Sequence, residues 1–280
     1  MTKKDILRMA EELYKEAFDA NAYYLIMKQY YGNSKKYNSE MRLSPAFYQV
    51  VFNALQISCF MELAKLFDKS DNVFSIGSLI KECQNNLCLF PEYRSIEECE
   101  FDGKKYTFQV PYQHKLKKEE ECFFKEQVKS QREILKLFDS QLSDTPPVII
   151  DLKFSEFLGL YYKRFCALSK KQENIRVQRN KIFAHNDTVK LLGIDDFVKR
   201  NPVYYTDIQE LIVFALDVTK LIIACLTDVY KADSYRNIDD WEGTLMLAKL
   251  GLKYQDYDHE QEMKEFREKW FSQDRSENNG

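Results

Sequence analysis

The stretch FSEFLGLYYKRFCALSKKQENIRVQRNKIFAHND, residues 154–187, decides the fold. Phe154, Leu158, Tyr161, Phe165, Leu168, Gln172 and Ile175 follow one another by alternating steps of four and three, the spacing of one buried face of a long helix. One more step of four lands on Arg179, and a further three or four on Ile182 and Phe183. A guanidinium therefore takes a core-facing slot. Burying it alone costs several kcal/mol, so it needs a carboxylate, or a face that opens onto a cleft or a second subunit.

Helical periodicity continues on both sides. Residues 4–31 carry Ile6, Leu13, Ala17 and Tyr24 on one face and stop at Gly32-Asn33. Ser44-Pro45 opens a second helix with the stripe Phe47, Val51, Ala54, Ser58, Met61, Lys65, and Ser75–Gln84 reads as a shorter one. Between 85 and 117 the period disappears, and Asp102-Gly103 beside alternating Tyr106, Phe108 and Val110 predicts a β-hairpin inserted at the surface. Helical sequence resumes from Leu116 to about Leu142 and breaks at Ser143–Pro147. Thr206-Asp207-Ile208-Gln209 reads as a capping box that launches Leu211, Ala215, Val218, Ile222, Cys225 and Val229, and a last helix is expected near Ile238–Leu252 with Trp241, Leu245 and Ala248 inward.

Composition agrees with a helical globule. In 280 residues there are only 8 Gly and 6 Pro, against 45% hydrophobic and 30% charged residues, which excludes a turn-rich β fold and extensive disorder. A net charge of −3 gives no global field toward nucleic acid or anionic membrane. The apolar run Leu211–Tyr230 is interrupted by Asp217 and Lys220 and falls short of the roughly 18 apolar residues of a membrane span. The N-terminus, with Asp5, Glu11 and Glu12, lacks the pattern of a signal peptide. Seven cysteines, with Cys59, Cys166 and Cys225 inside apolar helical patterns, suit core thiols in a reducing compartment, so a cytoplasmic location is expected. Cys83, Cys88, Cys99 and His114 match no zinc spacing, and no metal or cofactor is expected.

Charge is nonetheless local. From Lys163 to Lys181 the chain holds Lys163, Arg164, Lys170, Lys171, Arg176, Arg179 and Lys181 against Glu173 alone, a stripe suited to phosphate or, equally, to a solvated face balanced by the acidic segment 231–280. It ends at His185, one of three histidines, whose imidazole has the right intrinsic range for proton transfer at neutral pH and is also a common helix-end dipole partner.

Arg179-Asn180, followed after four residues by His185 in RNKIFAHND, resembles the Arg-polar-x-His signature of the HEPN superfamily, and in particular its abortive-infection AbiU-type branch. FNALQISCFMELAKLFDKS and EGTLMLAKL resemble helices of the same branch. The resemblance implies an all-α, HEPN-like helical bundle of about seven helices with a small β-hairpin insertion, a single domain over 1–280 with the insertion at 85–117 and a charged tail at 256–280. It further implies a homodimeric, metal-independent endoribonuclease of an antiviral, abortive-infection or toxin–antitoxin system, with an antitoxin or regulatory partner. Arg179 would bind the scissile phosphate, His185 would transfer a proton and Asn180 would orient them. Arg176, Lys181, Lys171 and Lys170 would hold the RNA. Asp187 stands where some HEPN toxins carry a modifiable tyrosine, and would either fix the imidazole tautomer or face solvent. On an ideal α-helix Arg179 and His185 point about 120° apart, so a site composed across a two-fold axis through the 154–185 helix is expected. The rival expectation is a non-catalytic HEPN-like dimer that binds RNA, a nucleotide or a partner protein.

Overall fold

A computed structural model describes residues 1–70, 73–138, 147–184 and 194–277. Ten α-helices account for most of these residues. They are α1 (Lys3–Asn33), α2 (Asn38–Met41), α3 (Pro45–Leu66), α4 (Ile76–Asn85), α5 (Lys125–Phe138), α6 (Phe154–Ala167), α7 (Ser169–Gln178), α8 (Ile194–Arg200), α9 (Tyr205–Thr227) and α10 (Glu242–Glu277). The number rises above seven because the expected 154–185 helix breaks at Leu168 and because α2 and α8 are short additions in loops.

The chain groups into two compact units, one of Met1–Asn21 with Phe60–Asp233 and one of Ala22–Cys59 with Ser234–Gly280. In the first, α4, α6, α7 and α9 pack on one another. Its core holds Ile6, Leu13 and Ala17 of α1, Leu63 and Leu66 of α3, Leu79 and Ile80 of α4, Phe154 and Leu158 of α6, and Leu211, Phe214 and Ile222 of α9, all 2% exposed or less. The α1 stripe is buried as the periodicity predicts, and so is the α6–α7 stripe from Phe154 to Ile175 apart from half-buried Phe165. In the second unit, Tyr37, Met41 and Leu245 are buried together, with Tyr30, Tyr48 and Trp241 packed against them. The Trp241 indole N–H donates to Gln29 Oε1 at 2.7 Å.

The predicted hairpin is present. Strands β1 (Ser95–Phe101) and β2 (Lys104–Val110) pair antiparallel around Asp102 and Gly103, both at positive φ as a two-residue primed turn requires. A second sheet was not foreseen. Strand β3 (Tyr112–Lys115) pairs antiparallel with β4 (Ile149–Leu152), and the Leu116 N–H extends the ladder to Val148 O at 2.8 Å. That long-range pairing keeps the chain extended past Lys115, so the helix expected from Leu116 begins only at Lys125.

Several expectations change in detail. The buried side of α3 is Cys59, Phe60, Leu63, Ala64 and Leu66, while Phe47 and Ala54 of the expected stripe are exposed. The helix is apolar nearly all round, so its sequence selects no face and tertiary packing does. Cys166 is exposed rather than in the core, whereas Cys59 is fully buried. The capping residue of α9 is Tyr204, whose N–H donates to Asp207 Oδ2 at 3.0 Å, two residues earlier than the Thr206-led box. Helix α10 begins at Glu242 and runs on to Glu277, since nothing after Leu252 in this charged segment interrupts a helix. Among the described residues no helix is long and apolar enough to cross a membrane.

Candidate active site

The signature segment follows an unusual helix. At Leu168 the backbone leaves the α-helical region (φ −81°, ψ 1°), which strands carbonyls at the end of α6. Gln172 answers one of them, its side-chain N–H donating to Phe165 O at 2.8 Å. A glutamine in a core stripe is thus explained by a helix break that it closes. Two further buried amides face inward from α7: Asn174 donates to Pro202 O at 2.8 Å and Gln178 to Asn201 O. Proline's missing N–H leaves its carbonyl the sole backbone group there, and Asn174 satisfies it. Polar bonds rather than apolar burial hold α7 against the segment between α8 and α9.

Immediately after α7, residues Arg179–Ala184 form a six-residue π-helical segment. Such segments are rare and concentrate at functional sites, because widening the turn redirects side chains at a cost in backbone geometry. Phe183 anchors this one, its ring 4.8 Å from that of Phe60. Arg179 opens it. The side chain is half-buried, and its Nε is sealed from solvent with no hydrogen-bond partner among the described residues. Its charge reaches Asp68 at the end of α3. Asp68 Oδ1 accepts from the Ser70 hydroxyl at 2.7 Å and from the Ser70 N–H at 2.8 Å, and these bonds, assisted by Arg179, hold the carboxyl below its ordinary value.

The basic stripe turns out to be largely committed elsewhere. Lys171 bridges Asp207, at 2.9 Å, and Glu210. Arg176 donates to Glu173 from two of its three nitrogens, Nη2 at 2.7 Å and Nε at 3.1 Å. Lys170 and Lys181 are exposed, and Asn180 is half-buried. His185 and Asp187 lie outside the described residues, as does the spacing between Arg179 and His185.

Arg164, counted from sequence as part of the stripe, is 9% exposed and belongs to a buried ionic cluster. Glu120, 1% exposed, stands at its centre. Its Oε2 accepts from His114 Nε2 at 2.7 Å and from the Lys117 N–H at 3.0 Å, while Arg164 Nε lies 2.9 Å from Oε1 as an ion pair without hydrogen-bond alignment. Asp217 lies 3.9 Å from the other side of the guanidinium, which also sits over the Phe214 ring at 5.3 Å. Burial pushes the Glu120 carboxyl up, but the His114 bond, the Lys117 N–H and the Arg164 charge outweigh it and hold the group below 4.5. An ionised Glu120 only accepts, which places a proton on His114 Nε2. Asp217 goes the other way, raised above 3.8 by burial despite Lys117 and Arg164. Sequence reading missed this cluster because its members come from β3, the turn after it, α6 and α9. The interruption of an apolar run by Asp217 was the one local trace.

Among the described residues no group of His, Cys, Asp and Glu is arranged to hold a metal ion. No curated protein and no solved structure shows significant similarity to the chain. The family model HEPN_AbiU2 (AbiU2) does match, over residues 3–244, which takes in α1 through the start of α10. A helical chain whose match runs through the hairpin, the broken α6–α7 pair and the Arg179 segment belongs to the AbiU2 family of HEPN proteins.

Proposed function

We propose that the protein is an endoribonuclease of an abortive-infection or toxin-type defence system, acting without a metal at a site completed by a second copy of the chain. The observation that supports this most is Arg179: a guanidinium at the head of the signature, with a sealed Nε that has no hydrogen-bond partner among the described residues. An unmet buried donor costs about 1–3 kcal/mol, a cost recovered when a phosphate oxygen accepts from it. In this reading Arg179 binds the scissile phosphate and stabilises the charge that grows on its oxygens. His185 handles the proton, either removing it from the ribose 2′-OH or giving one to the departing 5′-oxygen. Attack of the 2′-oxygen on phosphorus breaks the P–O5′ bond and leaves a 2′,3′-cyclic phosphate and a 5′-hydroxyl. DNA, lacking the nucleophile, stays intact. Asn180 orients the phosphate or one of its partners, and Lys170 and Lys181 border the path of the strand.

The ion pairs of Lys171 and Arg176 favour a second reading, a HEPN dimer that binds RNA, nucleotide or protein without cutting, since these cations are already neutralised within the chain. Incubation of the purified protein with mixed RNA in EDTA separates the two. Nuclease action gives cleavage that Arg179→Ala and His185→Ala each reduce at least 100-fold while unfolding temperature and oligomeric state are kept. Intact RNA with wild type, or cleavage indifferent to both substitutions, defeats the nuclease reading. A strictly monomeric particle defeats the composite site.

A further inference from the structure

Close to Arg179 the first unit holds a cavity of about 360 Å³ between the end of α3, the start of α4 and the outer side of α6. Sites for small organic ligands begin at roughly 300 Å³, so the volume suits one nucleotide. Asp68, the carboxylate that senses Arg179 and Arg176, forms part of its wall, and the neighbouring Lys69 is felt by Glu173 of α7. The cavity and the signature therefore share one charged border.

The lining has two parts. One is aromatic: Tyr162, 46% exposed, and Phe165, whose ring stacks on Phe67 at 6.3 Å. Phe165 reaches this place because residue 77 is glycine. A Cβ there would stand 2.7 Å from the ring's Cζ, so only a bare backbone at the first turn of α4 admits it. The other part is cationic: Lys69 and Lys81, both exposed, neither held in an ion pair or hydrogen bond among the described residues. The serine hydroxyls are committed locally, Ser70 to Asp68 and Ser75 with Ser78 in the cap of α4. Lys171 and Arg176, by contrast, are tied to acids.

We infer that this cavity takes the nucleotide next to the scissile phosphate, with its base against Tyr162 and its phosphate between Lys69 and Lys81. This rests on the ribonuclease reading and adds a substrate subsite to it. Asp68 and Glu82 offset the two lysines in charge, so a bare phosphate gains little there. A nucleotide gains more, because its base adds aromatic stacking and the base's amino or imide N–H can donate to the Glu82 carboxylate. The geometry selects single-stranded RNA, since a base enters the cavity only when unpaired.

The test uses the full chain and a fluorescent, mixed-sequence oligoribonucleotide whose 2′-oxygens are methylated, so that binding is read without cleavage. Lys69→Glu/Lys81→Glu and Tyr162→Leu should each weaken binding at least tenfold, while Lys129→Glu on α5 leaves it within twofold. Adenosine monophosphate should compete and inorganic phosphate should not. With cleavable RNA the same substitutions should raise KM and leave kcat within about threefold, whereas Arg179→Ala removes kcat. Wild-type-like binding by both cavity variants overturns the subsite and leaves the nuclease reading standing if wild type still cuts. Binding that depends on the cavity in a protein that never cuts overturns the nuclease reading and keeps the nucleotide site. Absence of binding by wild type, or competition by phosphate equal to that by the nucleotide, overturns the inference. All four side chains are exposed, and unchanged unfolding temperatures confirm that the variants fold.

Discussion

Arg164 and Arg179 lie fifteen positions apart on either side of a helix break, and the structure treats them in opposite ways. Arg164 is buried in full company, between Glu120 and Asp217 and over the Phe214 ring. Arg179 is half-buried, with a sealed Nε that no described residue answers. A cation whose neighbours already satisfy it holds parts of the fold together; one left short of a partner is held ready for something that arrives. The contrast says more than counting positive charges does, because the seven cations between 163 and 181 look alike in sequence and at least three of them are spent on internal acids.

The contrast breaks most visibly in stability. Glu120→Ala leaves Arg164 and His114 buried without their shared acceptor, and removing one partner of a buried pair typically costs about 3–5 kcal/mol. Urea unfolding should show a loss of that order, against less than about 1 kcal/mol for Arg179→Ala, whose effect falls on cleavage if the proposed function holds. Equal losses for the two would erase the distinction. A middle effect is expected at Gly77→Ala. Its Cβ would press on a Phe165 ring already packed between Phe67 and Phe214, which overpacks the cavity wall by about 1–3 kcal/mol and should weaken RNA binding together with thermal stability.

The smallest effect is in acid. Glu120 is held below 4.5, so its share of stability is present above that value and is lost as pH falls through the lower folded-state value. Asp217, raised above 3.8, contributes in the reverse sense: its burial favours the protonated form, and that advantage fades as pH rises through its folded-state value. Glu120→Gln should flatten the acid limb of a stability–pH curve below about 4.5, by at most about 1.4 kcal/mol per pH unit for one proton. Asp217→Asn should steepen it. An unchanged limb in Glu120→Gln would show that the His114–Glu120–Arg164 cluster contributes no pH-dependent stability.

Legibility followed the range of the interactions. The Ile6, Leu13, Ala17, Tyr24 face of α1 and the Phe154–Ile175 stripe could be read because a single period decides which side of a helix is wet. The β1–β2 hairpin was legible because two residues, Asp102 and Gly103, set its turn. The β3–β4 pairing joins segments more than thirty residues apart, and no local signal marks it. The Phe47–Lys65 face expected for α3 failed for a different reason: with apolar side chains nearly all round, several burial choices are equally good until neighbours select one. In the candidate site, Arg179 was visible as a charge in a core slot, whereas Asp68, Lys69, Lys81 and Tyr162 came together only through the packing of α3, α4 and α6.

By itself the sequence determined that this chain is helical, roughly where its long helices run, which turn makes its hairpin and which family it resembles. These depend on neighbours a few residues away along the chain, where 3.6-residue and two-residue periods operate. Only the tertiary structure decided which cations are spent and which are unmet, because an ion pair forms between residues that distance along the chain does not relate. A charge is the same letter in either role, and its partner alone tells them apart.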